Sequence, residues 1–96
     1  MNDAAAPDPE VHVAGLVVHA FPEAAARIAD LIGCREGAIV HARSPDGRMV
    51  VTLEADGGDA IAAAVVDIQR IDGVLAASLV YQHSEPASAM QEEIDP

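Results

Sequence analysis

A short turn, Ser44-Pro45-Asp46-Gly47, stands between two stretches of chain that repeat the same order of patterns. Proline presets φ at the second turn position and glycine admits φ > 0 at the fourth. The chain can therefore reverse sharply here, and the flanking residues read as a hairpin. Before the turn, Ala38–Arg43 reads as a short strand. After it, Met49–Glu54 alternates, with Met49, Val51 and Leu53 on one side and Val50, Thr52 and Glu54 on the other.

Each hairpin strand is linked to a helical pattern and a further strand. Val11–Ala20 is rich in β-branched residues and ends before Phe21-Pro22. Pro22 suits a first helical position, and Glu23 suits the positive end of a helix dipole. Ala24, Ala25, Ile28, Leu31 and Ile32 then recur at helical spacing, with Gly33 as a stop signal. In the second half Gly57-Gly58 breaks the chain and Asp59 is a candidate N-cap. Ile61, Ala64, Val65, Ile68 and Ile71 trace a second apolar stripe, Gly73 closes it, and Val74–Tyr81 reads as the last strand.

Two strand–helix–strand units joined by a tight hairpin define an α+β, ferredoxin-like βαββαβ fold. It has a four-stranded antiparallel sheet with both helices on one face. The other face is left open, so its side chains decide what the surface can do. Alternation assigns Val50, Thr52 and Glu54 to it from the third strand. On the first strand the bulkier set containing Leu16 belongs in the core, leaving Val13, Gly15, Val17 and His19 outside. On the last strand Leu75, Ala77 and Leu79 are assigned inward, and Ala76, Ser78 and Val80 outward. The expected face is apolar, smooth and built from small residues.

Ninety-six residues support one small domain. Half the residues are hydrophobic, more than a disordered chain of this charge would carry. A chain this short has little room for a deep, enclosed active site. Acidic residues outnumber basic ones 16 to 5, giving a net charge of -11, and every basic residue is arginine. That balance excludes an ordinary nucleic-acid binder and disfavours an anionic membrane surface, while suiting a basic partner. Much of the excess sits at the ends. Asp3, Asp8 and Glu10 precede the first strand, and Glu85, Glu92, Glu93 and Asp95 follow the last. Residues 1–10 and 84–96 read as disordered acidic tails that solvate the folded unit 11–83.

The start of the chain lacks the basic n-region of a secretory signal, and its apolar runs fall far short of the ~20 residues that span a bilayer. Cys34 stands alone, as expected in a reducing compartment. A cytoplasmic protein without membrane insertion is the expectation. His12, His19, His41 and His83 show no ligand spacing on a shared helix, and Cys34 has no CxxC partner, so no metal site is assigned. His19-Ala20-Phe21-Pro22 lacks the arginine of acylphosphatase-like enzymes, and Gly57-Gly58 alone does not make a phosphate loop. No catalytic residue and no cofactor are assigned.

Two strings add a resemblance. His12-Val13-Ala14-Gly15-Leu16-Val17-Val18-His19-Ala20-Phe21-Pro22-Glu23 is similar to the first strand and turn of the NapD family. Gly73-Val74-Leu75-Ala76-Ala77-Ser78-Leu79-Val80-Tyr81-Gln82-His83 resembles that family's G-V-L-x-x-S-L-V-Y-H-Q. The second string is the more specific. Gly15 stands where the family carries serine, and Tyr81-Gln82-His83 replaces its Tyr-His-Gln ending. The resemblance implies a cytoplasmic chaperone without catalysis or a cofactor of its own. Its implied partner is the twin-arginine signal peptide of the catalytic subunit of periplasmic nitrate reductase. Such chaperones delay export until the molybdenum cofactor is inserted, and the peptide is expected to lie as a helix on the open sheet face. The site then comprises Val13, Gly15, Val17, Val50, Thr52, Glu54, Ala76, Ser78 and Val80. The alternative reading is a small-molecule-binding regulatory domain of ACT-like type, although Phe21-Pro22 occupies the loop where that class usually has glycines.

Overall fold

The computed structural model describes residues 10–86. Four strands, β1 (Glu10–Ala20), β2 (Ala38–Arg43), β3 (Arg48–Ala55) and β4 (Val74–Pro86), form one sheet. The helices are α1 (Ala25–Gly33), entered through a 3₁₀ turn at Pro22–Ala24, and α2 (Gly58–Gln69). The spatial order is β2-β3-β1-β4, and every neighbouring pair is antiparallel. This is the ferredoxin-like α+β arrangement, with both helices contributing to the core on one face of the sheet.

The hairpin forms where the Pro-Asp-Gly sequence places it. Ser44 N–H donates to the Arg48 carbonyl at 2.9 Å and Gly47 N–H to the Ser44 carbonyl at 3.1 Å. Gly47 adopts φ 96°, and a Cβ there would collide with the Ala20 carbonyl oxygen. Glycine thus lets the turn dock against the end of β1, where Ala20 N–H donates to the Gly47 carbonyl at 2.8 Å.

Core residues follow the expected periodicities. Ala14, Leu16 and Val18 of β1 and Met49, Val51 and Leu53 of β3 are buried against Ala25, Ile28 and Ile32 of α1 and Ile61, Ala64 and Ile68 of α2. Fully burying each larger side chain contributes roughly 1.5–3 kcal/mol. The central strands are therefore fixed in register, since a one-residue slip would turn Leu16 and Val51 toward solvent.

Several expectations are corrected. The β1–β4 ladder extends to the pairs Glu10↔Pro86, Val11↔Glu85 and His12↔Ser84. The strands thus reach beyond the expected 11–83 unit, because alternating β1 residues continue to find backbone partners. The expected tails are otherwise residues 1–9 and 87–96, which lie outside the described residues. Asp59 lies within the first turn of α2, while Gly57 is the N-cap residue. Gly33 is the last residue of α1, and the left-handed conformation after it falls to Gly37, φ 81°. Leu31 stays exposed, on the outer side of α1. Leu75 and Leu79, expected inside with Ala77, are 52% and 47% exposed. They lie on β4, an edge strand of the sheet that the helices cover only in part.

Candidate functional site

The uncovered side of the sheet is arranged in rows running across the strands, because directly paired residues share a face. From the β1 N-terminal end these rows are Glu54–Val13–His83, Ile39–Thr52–Gly15–Tyr81, Ala42–Val50–Val17–Ser78 and Arg48–His19–Ala76. Eight of the nine candidate residues fall in them: Val13, Gly15, Val17, Val50, Thr52, Glu54, Ala76 and Ser78. The result is an apolar surface whose exposed members include Ile39, Val50, Val17 and Tyr81.

Val80 is the exception. Leu16 pairs with Leu79 but Gly15 pairs with Tyr81, so Val80 has no partner across β1. It is the extra residue of a β-bulge and is 64% exposed. The bulge reverses the alternation beyond it, bringing Tyr81 and His83 onto the open face. A strict period of two cannot reveal this. A second irregularity, between Val40 and Ala42, leaves His41 unpaired on the edge strand β2. His41 Nε2 and Thr52 Oγ1 are hydrogen-bonded at 2.6 Å, so this imidazole is held against the face.

Gly15 is buried although it belongs to the open face, because the Tyr81 side chain leans across it. A Cβ on Gly15 would collide with Tyr81 Cε1 and lie 2.7 Å from Cδ1 and 2.9 Å from Cζ. The only glycine within β1 is thus the seat of the only tyrosine in the chain.

Charge is distributed unequally along the face. At one end Glu36, Gly37, Glu54, Ala55 and Asp56, with Val11 of β1 and Ala60 of α2, line an open cleft of about 550 Å³ that rounds the end of the sheet toward the helices. At the hairpin end Val17, Arg43, Arg48, Met49 and Val50 border a smaller concavity of about 330 Å³. Arg48 is paired with Asp46 at 3.4 Å. The Ser44 hydroxyl donates to the Asp46 carboxylate, and this bond, aided by nearby Arg48, holds the Asp46 pKa below the ordinary carboxylate range.

Two histidines make local pairs, while Arg35 reaches Asp67 at 3.0 Å across the helix layer. His83 Nε2 lies 2.7 Å from Glu85 Oε2, and His12 Nε2 lies 3.5 Å from Glu10 Oε1. Cys34 is free and exposed. Among the described residues no group of three His, Cys, Asp or Glu side chains is placed to hold a metal ion, and no helix is long and apolar enough to cross a membrane.

The fold and this surface define a small α+β domain presenting an uncovered, largely apolar sheet face with acids at one end. The NapD protein family matches residues 11–86, and the chain belongs to that family of chaperones. It is 30% identical over 74 residues to Chaperone NapD of Escherichia coli K12, covering 76% of this chain and 85% of that protein. Chaperone NapD of Shigella flexneri matches to the same extent. The solution structure of the E. coli Tat proofreading chaperone protein NapD superposes with a TM-score of 0.71 and 30% identity. That match covers 78% of this chain and 80% of the other.

Proposed function

We propose that this chain is a cytoplasmic, non-catalytic chaperone that binds the twin-arginine signal peptide of the periplasmic nitrate reductase catalytic-subunit precursor. Binding keeps the precursor from export until its molybdenum cofactor is inserted. The observation that carries this reading is the open sheet face, on which small and aliphatic side chains adjoin an acidic end. Such a peptide has the complementary pattern, a basic n-region followed by an apolar run. Thr52, Ala76 and Ser78 let a helix approach closely, Val13, Val17 and Val50 bury its apolar stripe, and Gly15 lies beneath the Tyr81 ring. Glu54 faces the cationic end. An exposed acid–arginine pair contributes only about 0.5–1 kcal/mol, so apolar burial supplies most of the affinity while charge fixes orientation and speeds encounter. Membership of the NapD family and the likeness to a Tat proofreading chaperone support the choice of partner.

An NMR titration with the precursor's signal peptide tests the proposal. Amide shifts should concentrate on β1, β3 and β4 around Val17, Thr52 and Ser78. Shifts restricted to α1 and α2, or no binding at low salt, would overturn it.

A further inference from the structure

Tyr81 is the sole phenyl-type ring in the four rows, which otherwise hold only the imidazoles of His19 and His83, and its position depends on an absence. Residue 15 has no Cβ, so the ring can lean across β1 at a place where any other side chain would occupy the same volume. Aromatic side chains over sheet glycines restore packing that glycine alone forfeits. Here that packing leaves Tyr81 49% exposed, with the ring supported from beneath and still accessible from solvent. A supported ring loses little conformational freedom when a ligand settles on it.

The ring's neighbourhood is electrostatically one-sided. Its row lies next to Glu54–Val13–His83, and Glu36 and Asp56 line the same end of the sheet as Glu54. His83 is held by Glu85, which adds a further carboxylate near that end. The arginines closest to the face, Arg43 and Arg48, lie beside Val17 and Val50 at the opposite end. A strand spacing near 4.8 Å and a rise near 3.4 Å per residue place the Glu54 and Tyr81 backbones roughly 12 Å apart. Two neighbouring arginine side chains can reach both.

We infer that Tyr81, seated on Gly15, is the platform on which one guanidinium of the twin-arginine pair stacks, with Glu54 receiving the other. This rests on the reading above and deepens it by locating the arginine-recognising residue. A guanidinium is planar and weakly hydrated, so it stacks on a ring face more favourably than an ammonium. The pair then sits at the Glu54 end, and the peptide's apolar run crosses Val17 and Val50 toward the hairpin. Gly15 is a positioning residue that acts through Tyr81.

The test is calorimetric titration of the full chain with three synthetic peptides. One carries the precursor's twin-arginine signal sequence, the second has both arginines replaced by lysine, and the third has both replaced by norleucine. For the arginine peptide, Tyr81→Phe stays within about twofold of the unmodified chain and Tyr81→Leu weakens binding about tenfold. For the norleucine peptide, Tyr81→Leu changes affinity by less than twofold. Gly15→Ala weakens the arginine peptide but adds little in a Tyr81→Leu background, because both changes remove the same platform. Thermal melts confirm that each variant is folded. If the unmodified chain binds while Tyr81→Leu is indistinguishable from it, the stacking role is overturned and the sheet-face reading stands. Equal losses for the arginine and norleucine peptides would place Tyr81 under the apolar run instead. If the unmodified chain binds none of the peptides, the functional reading itself fails.

Discussion

Glu54 is clamped to Gly37 through the backbone. Its N–H donates to the Gly37 carbonyl at 2.8 Å, and its own carbonyl oxygen occupies the space a Cβ on Gly37 would need. Gly37 also adopts φ 81°. The acid nearest the expected cationic end of a ligand is therefore set by a contact that only glycine permits.

Gly37→Ala should destabilise the domain by about 1–3 kcal/mol, from the left-handed conformation and the collision together. Gly33→Ala supplies the control. Nothing lies within 4 Å of a Cβ at that position, and the residue is helical. It should stabilise by about 0.5–1 kcal/mol. Urea denaturation of the two variants measures the contrast, and a loss from Gly33→Ala would refute the account of α1.

Burial separates two residues of the α1 stripe that look alike in sequence. Ile28 is fully buried and Leu31 is half exposed. Ile28→Ala should remove about 2–5 kcal/mol, whereas Leu31→Ala should remove less than about 1 kcal/mol. Equal effects in chemical denaturation would contradict the placement of the helix.

On the open face, Ser78→Arg should weaken signal-peptide binding by at least tenfold while shifting stability by no more than about 0.5 kcal/mol. Ser78 is exposed and sits beside Val17, so the added side chain obstructs the surface without entering the core. Calorimetry alongside a thermal melt distinguishes obstruction from unfolding. Unchanged affinity in a folded variant would remove Ser78 from the site.

Glu54→Gln should weaken the arginine peptide by about two- to fivefold at low salt, mainly by slowing association. The difference should shrink in 0.5 M salt, because exposed charges are screened. Stopped-flow kinetics at two ionic strengths reads both effects, and a salt-independent loss would indicate a structural role.

The hairpin carries a pH signature. The carboxyl of Asp46 titrates below the ordinary range because of the Ser44 hydroxyl and then Arg48. A depressed folded-state pKa stabilises above the unfolded value, and that stabilisation disappears as pH falls through the folded value. NMR titration should therefore find Asp46 ionised to lower pH than an aspartate in an unfolded peptide. Ser44→Ala should move the Asp46 midpoint upward. A midpoint unaffected by that substitution would reject the hydroxyl as the main cause.

Much of the fold was legible from chain order and periodicity. The Pro-Asp-Gly turn defined a hairpin, the alternation of Met49–Glu54 assigned both faces of β3, and Leu16 marked the inward set on β1. The apolar stripes centred on Ile28 and Ile61 identified the helix faces, and the Gly-Val-Leu…Ser-Leu-Val-Tyr string carried the family. These signals survive because each depends on residues near one another in sequence and on a regular repeat.

What depended on distant parts of the chain was not legible. The bulge at Val80 arises where β4 departs from its register with β1, and it moves Tyr81 and His83 to the open face against simple alternation. Leu75 and Leu79 have the pattern of core residues but lie on an edge strand that α2 covers incompletely. The pairing of Gly15 with Tyr81 joins positions 66 residues apart, and neither identifies the other in sequence. Local propensity and hydrophobic period thus determined the elements and their inward faces. Strand order, register breaks and helix coverage decided which side chains share the open surface, because those are set by packing among segments remote in the chain.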